Sequence, residues 1–230
     1  MKTRDAADWE ELARRQPYFP VIGDDGDTIA TAAFLESGAA DVASLLSAIT
    51  SLLGRNIAIT AALDFGCGAG RLTLPLARRA TRVVGCDIAP TILVHAREKA
   101  RNEGIENVTF IECSELAHVA DGTFDFVCSL LVLQHIRAAA GYPIIRELLR
   151  LLAPGGIAAL QVTPERPGAA LSRLARMTRR QGRAAPSAVN AYDLRVVQRD
   201  VEAAGARLVA QFPTRDRDTT AAVLIITKPA

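Results

Sequence analysis

The chain has 230 residues, half of them apolar and 23% charged, with a formal net charge of +2. This length and balance fit one globular domain with a substantial core and exclude a disordered chain. The small net charge leaves no electrostatic footprint for nucleic acid or a membrane surface. The sparse aromatics form no ladder for base stacking.

Residues 1–55 read as a mostly helical N-terminal cap, broken at Pro17-Tyr18-Phe19-Pro20 and by an acidic turn at Asp24-Asp25-Gly26-Asp27. The start, Met1-Lys2-Thr3-Arg4-Asp5, lacks the apolar run of a signal peptide, and no stretch reaches the roughly 18 apolar residues of a membrane span. Val42, Leu45, Leu46, Ile49 and Leu53 recur on one face of a helix over 41–53. From residue 57 on, β-branched runs alternate with helical patterns. The expected strands are 58–65, 82–87, 107–112, 124–130, 157–163, 206–212 and 221–228, with helices near 70–80, 90–103, 140–152 and 193–205. That alternation predicts an α/β fold, a mostly parallel sheet with helices on both faces. The polar segment from Thr214 to Thr220 has no room for a helix, so the last two strands form an antiparallel hairpin. Residues 56–230 thus read as the main domain, interrupted near 164–191.

Cys67, Cys86, Cys113 and Cys128 are far apart and form no C-x-x-C. They read as small buried thiols in a reducing compartment, so the expected location is cytoplasmic. No metal site is expected, since Asp24, Asp25 and Asp27 lack the downstream ligand of a calcium loop.

The densest signal is Leu63-Asp64-Phe65-Gly66-Cys67-Gly68-Ala69-Gly70-Arg71, a buried strand running into a glycine turn and a helix. Such turns, at the carboxyl ends of parallel strands, bring backbone close to nucleotide-like ligands. A dinucleotide fingerprint needs glycine where this chain has Arg71, which disfavours a nicotinamide oxidoreductase. The spacing is instead D-x-G-x-G-x-G. A carboxylate before the glycines is awkward for a diphosphate and suits a cofactor with a positive amino or sulfonium group. About 20 residues beyond the turn, Val83-Val84-Gly85-Cys86-Asp87 ends a strand in an acid placed for ribose hydroxyls. Asp87 reads alternatively as a cap for the next helix.

These residues resemble the cofactor loop of class I S-adenosylmethionine (SAM)-dependent methyltransferases. Phe124-Asp125-Phe126-Val127 leading to Val132-Leu133-Gln134-His135, and Leu151-Leu152-Ala153-Pro154-Gly155-Gly156, resemble that family's fourth strand and the turn before its fifth. The resemblance covers residues 60–163 well and implies a Rossmann-like seven-stranded sheet ending in an antiparallel hairpin. It implies that Asp64, Gly66, Cys67, Gly68, Gly70 and Arg71 surround the methionine end, with Ser129 and Leu130 beside it. Asp87 would take the ribose, Ile88 would either pack on the adenine face or simply join the core, and Ser114 or Glu115 would meet the adenine amino group, where the family often has Asp. The cofactor would be SAM and the product S-adenosylhomocysteine (SAH).

The signatures of amino-group and cytosine DNA methyltransferases are absent, which favours transfer to O or N of a small molecule over nucleic acid. His135, beside the expected methyl, reads either as a general base or as a pocket-lining histidine. Asn190-Ala191-Tyr192-Asp193-Leu194 and the Tyr18-Phe19 turn extend the resemblance to bacterial small-molecule enzymes. They imply that Tyr18 closes over the cofactor and that Phe19 and Gln134 face the acceptor; Tyr192 either faces the acceptor or is simply packed, and Asp193 is a helix cap. Arg166, Arg173, Arg176, Arg179, Arg180 and Arg183 lie in a basic amphipathic segment, read either as a lid over an anionic acceptor or as a solvated face. A non-catalytic protein that binds SAM or SAH is the alternative function.

Overall fold

The computed structural model describes residues 4–15, 28–165, 189–216 and 219–230. Two helices, α1 (Arg4–Arg15) and α2 (Thr28–Leu53), precede the sheet. Then follow β1 (Ile59–Phe65), α3 (Thr73–Ala77), β2 (Ala80–Asp87), α4 (Pro90–Asn102), β3 (Val108–Glu112) and β4 (Phe124–Ser129). The chain continues through α5 (Ala138–Leu151), β5 (Leu152–Pro164), β6 (Ala191–Tyr192), α6 (Leu194–Ala203), β7 (Arg207–Asp216) and β8 (Thr219–Thr227). Short 3-10 turns cover Cys113–His118 and Leu133–His135. Among the described residues no helix is long and apolar enough to cross a membrane.

The sheet order is β3-β2-β1-β4-β5-β8-β7. Strands β1 to β5 pair in parallel, whereas β8 runs antiparallel to both β5 and β7. The turns at the C-terminal ends of β1, β2 and β4 therefore meet at one edge, the usual ligand position in such sheets. Strand alternation divides the core. Ala158, Leu160, Leu224 and Ile226 face α5 and α6, while Ile157, Ala159, Val223 and Ile225 share the opposite cluster with Val42 and Ile49 of α2. Every one of these is at most 7% exposed, so the sheet is covered on both faces.

The sheet differs from the expected seven strands in having eight. The added strand, β6, is two residues pairing in parallel with the end of β5, too short to leave a periodic pattern. Helix α3 has five residues rather than the eleven of 70–80, because residues 66–72 are spent in the glycine turn. Pro154-Gly155-Gly156 does not turn the chain between a helix and a strand. Strand β5 starts at Leu152, directly after α5, and the glycines form a bulge in which two steps along β4 face five along β5. Most of the polar 214–220 segment is strand, since the β7–β8 ladder extends to Asp216 opposite Thr219. The acid of Phe124-Asp125-Phe126-Val127 is structural: its carboxylate accepts the backbone N–H of Thr60 (2.9 Å) and Ala61 (3.1 Å) at the start of β1.

Candidate active site

The glycine turn is stitched to the end of β2. The N–H groups of Gly66 and Cys67 both donate to the Cys86 carbonyl, at 2.8 and 2.9 Å. Gly66, Gly68 and Gly70 have φ of +75°, +53° and +89°, a region that L side chains rarely adopt. A Cβ on Gly66 would also clash with the Val132 side chain, so the β1 and β4 turns touch. A Cβ on Gly68 would meet nothing within 4 Å: the turn leaves open space there.

Asp87 lies beside that space. Its Oδ2 accepts the Gly68 N–H at 2.9 Å and its Oδ1 the Ala89 N–H at 3.0 Å. Burial pushes its pKa up, against these backbone bonds. The Ile88 backbone also donates to it, so of a carboxylate's roughly four lone-pair sites one remains for a ligand hydroxyl. Asp87 therefore braces the entry to α4, as a cap does, and keeps acceptor capacity toward the cleft. The first backbone atoms of the turn and this carboxylate fit a ribose-bearing ligand.

Asp64 is 2% exposed and sits beneath the turn. Its carboxylate accepts from Thr73 Oγ1 at 2.6 Å and from the Cys128 thiol at 3.6 Å. Burial raises its pKa to about 6, although both hydrogen bonds and the Arg71 charge act the other way. Arg71 itself is taken up elsewhere: its guanidinium, 7% exposed, pairs with Asp41 of α2 at 2.6 Å. Contact at this point is close, because a Cβ on Gly38 of α2 would collide with the Arg71 carbonyl oxygen. The guanidinium charge of Arg71 thus secures α2 to the turn.

Helix α1 lies on the other side of the turn. Ala13 packs in one cluster with Cys67, Ala69 and Ala89, and Trp9 joins that cluster. Glu10 accepts from both the backbone N–H (3.2 Å) and the hydroxyl of Thr91 in the first turn of α4.

The β4 edge completes the site. Ser129 is buried and donates to the Phe65 carbonyl at 3.1 Å, holding β4 to β1 rather than presenting its hydroxyl to the cleft. Leu130 is half-buried. Leu131 adopts φ +62°, the one described non-glycine residue with positive φ, and its N–H donates to the Gln161 side chain at 3.0 Å. Such a conformation costs a leucine roughly 1–2 kcal/mol and persists where surrounding structure imposes it, often at functional sites. The chain then winds through the 133–135 turn, with Gln134 buried and His135 half-buried, their Nε2 atoms 3.4 Å apart. The Trp9 ring meets the His135 ring edge-on, centroids 5.5 Å apart.

Tyr192 pins this turn from behind. It is fully buried, and its hydroxyl lies 2.8 Å from both the Leu133 and the Ile136 carbonyls. The N–H and side-chain amide of Asn190 both donate to the Gln134 carbonyl, at 2.6 and 3.2 Å. Of the two readings of Tyr192, the packed one describes it here: its hydroxyl is spent on the backbone that carries His135. Asp193 caps α6, accepting the Arg195 N–H. Glu115 accepts the Glu112 N–H at 2.9 Å in a reciprocal capping pair, which leaves the exposed Ser114 hydroxyl as the less committed group at the β3 turn. Ile88 is half-buried beside Asp87. Cys67, Cys86 and Cys128 are buried, which pushes all three thiols up and keeps them protonated. Tyr18, Phe19 and the arginines of 166–183 lie outside the described residues.

Known proteins resemble this chain in part of its sequence and in its fold. Residues 62–156 match a family model described as a methyltransferase domain. The ubiquinone biosynthesis O-methyltransferase of Methylocella silvestris is 38% identical over 95 residues, 41% of this chain and 36% of that protein. The demethylmenaquinone methyltransferase of Thermus thermophilus is 42% identical over 112 residues, 46% of this chain and 49% of that protein. The chain thus spans half or less of the length of these relatives. In fold, it is similar to the crystal structure of magnesium protoporphyrin IX methyltransferase from Synechocystis with bound SAH, at a TM-score of 0.66 and 21% identity, covering 96% of this chain and 98% of that one. Residues 62–156 thus match a methyltransferase domain, and the strand order, the glycine turn and the acid closing β2 give the chain the class I SAM-dependent methyltransferase fold.

Proposed function

We propose that the chain binds SAM at the edge formed by the β1, β2 and β4 turns and transfers its methyl group to an oxygen or nitrogen of a small molecule. The observation that carries this reading is the Asp87 carboxylate, bonded to the Gly68 N–H beside open space and retaining acceptor capacity for a ribose hydroxyl. In this reading Asp64 supplies negative charge under the methionine end, and the backbone of Gly66 to Gly70 follows the ligand. Ile88 and Ser114 border the adenine. Leu130 and the strained Leu131 border the methionine side, and Gln134 lies toward the acceptor.

The bound cofactor supplies an electrophilic methyl on a sulfonium. What remains for the protein is to hold the acceptor in line, exclude water and take a proton. His135 is the group that takes the proton. In that role an imidazole nitrogen of His135 would accept the acceptor's proton during methyl transfer. The relatives named above are biosynthetic methyltransferases of small molecules, one of them an O-methyltransferase by name, which supports a hydroxyl acceptor. An anionic acceptor is supported by the arginine-rich 166–183 segment alone. The four unbridged cysteines support a reducing, cytoplasmic setting.

The test is transfer from methyl-labelled SAM into fractionated extract of the host, with Asp87→Ala as control. Label in a small-molecule fraction, lost with Asp87→Ala, is expected. Label in protein or nucleic acid overturns the acceptor class. SAM binding with no label in any fraction indicates a non-catalytic binder instead.

A further inference from the structure

His135 stands on a turn whose backbone is fixed from behind by Tyr192 and Asn190. That fixes where the imidazole starts; its orientation is set by the side chains that meet it, the Trp9 ring and the Gln134 amide, 3.4 Å from Nε2. The Trp9 ring lies against it at 5.5 Å and 69°, inside the range preferred for edge-to-face pairs. Trp9 is itself held on both sides. One residue on, Glu10 grips Thr91 through two hydrogen bonds, and one helical turn on, Ala13 is 6% exposed among Cys67, Ala69 and Ala89. Helix α1 therefore crosses from the glycine turn and α4 to the β4 turn, and presents its one large aromatic ring at the histidine.

We propose that Trp9 is the positioning residue for His135, so that the acceptor side of the site is shared between α1 and the β4 turn. This rests on the reading of His135 as the group that takes the acceptor proton. Trp9 touches neither proton nor methyl; it limits the imidazole to the orientation in which a ring nitrogen meets the acceptor. Because α1 lies outside residues 62–156, the positioning device belongs to a segment that the match to the methyltransferase domain does not cover.

A double-mutant cycle tests this. Trp9→Ala, His135→Ala and the pair are compared with the unaltered chain in the rate of label transfer from saturating SAM into the acceptor-bearing fraction, and in SAH affinity by calorimetry. Trp9→Phe keeps an aromatic edge and serves as the rescue. Trp9 is the only tryptophan, so its emission checks that α1 remains seated in His135→Ala. The expected result is a loss of about 10-fold or more for Trp9→Ala where His135 is present, less than about 2-fold where it is absent, and most of the rate regained with Trp9→Phe. SAH affinity stays within about 3-fold in all variants, since Trp9 acts on the acceptor side. Equal losses in both backgrounds, or a loss explained by weaker SAH binding, overturn the positioning role and leave Trp9 a structural contact. A full rate in His135→Ala overturns it as well. No transfer by the unaltered chain overturns the proposed function itself, and the positioning role with it.

Discussion

Asp64→Asn isolates the energetic consequence of keeping a carboxylate under the glycine turn. The group is 2% exposed, and burial lifts its pKa from the ordinary 3.8 to about 6. Two units correspond to about 3 kcal/mol of preference for the protonated form in the folded state. Between about pH 4 and pH 6 the folded chain holds a proton at this site that the unfolded chain has released. The contribution of Asp64 to stability therefore falls as pH rises through that window, and its full cost is present above pH 6. Asparagine carries no charge and keeps an oxygen for the Thr73 hydroxyl, so the variant escapes this cost. Urea unfolding of the cofactor-free protein at pH 7.5 and pH 4.5 measures it. The variant is expected to be more stable by up to about 3 kcal/mol at the higher pH and by only about 1 kcal/mol at the lower, while binding SAM more weakly. A variant no more stable than the parent at pH 7.5, or a difference independent of pH, refutes the reasoning.

Tyr192→Phe removes the hydroxyl bonded to the Leu133 and Ile136 carbonyls and should cost about 1–3 kcal/mol in denaturant unfolding, without weakening SAH binding. Gly66→Ala meets both a positive φ and the Val132 side chain, and should abolish SAH binding in calorimetry. In the native protein a thiol reagent should label Cys113 rapidly and the three buried cysteines slowly, with all four reacting in denaturant; rapid native labelling of more than one contradicts the burial assignment.

Much of this was legible in the sequence, for identifiable reasons. The strands are apolar runs bounded by Gly, Asp and Pro, and the helix face of Val42, Leu45, Leu46 and Ile49 does pack on the sheet. The glycine turn and Asp87 were legible because their chemistry is local: positive φ needs glycine, and the acid closes a strand. Contacts between distant segments were not. The Arg71 ion pair was hidden because nothing in its neighbourhood announces Asp41, thirty residues earlier. The packing of Tyr192 stayed one of two readings because no sequence pattern shows a phenol pinning a turn 56 residues upstream. Trp9, Glu10 and Gln161 left no signal at all, since each acts on residues far from it in the chain. Leu131 carried none either, because a strained leucine has the same letter as a relaxed one.

The most direct test of the account is calorimetric titration of the chain, and of Asp87→Ala, with SAM and separately with NAD. The account predicts one SAM per chain, affinity reduced roughly 10- to 100-fold in Asp87→Ala through loss of hydrogen bonds to a charged group, and no uptake of NAD. SAM affinity unchanged by Asp87→Ala, or binding of NAD in place of SAM, would contradict the placement of the cofactor on which every other assignment rests.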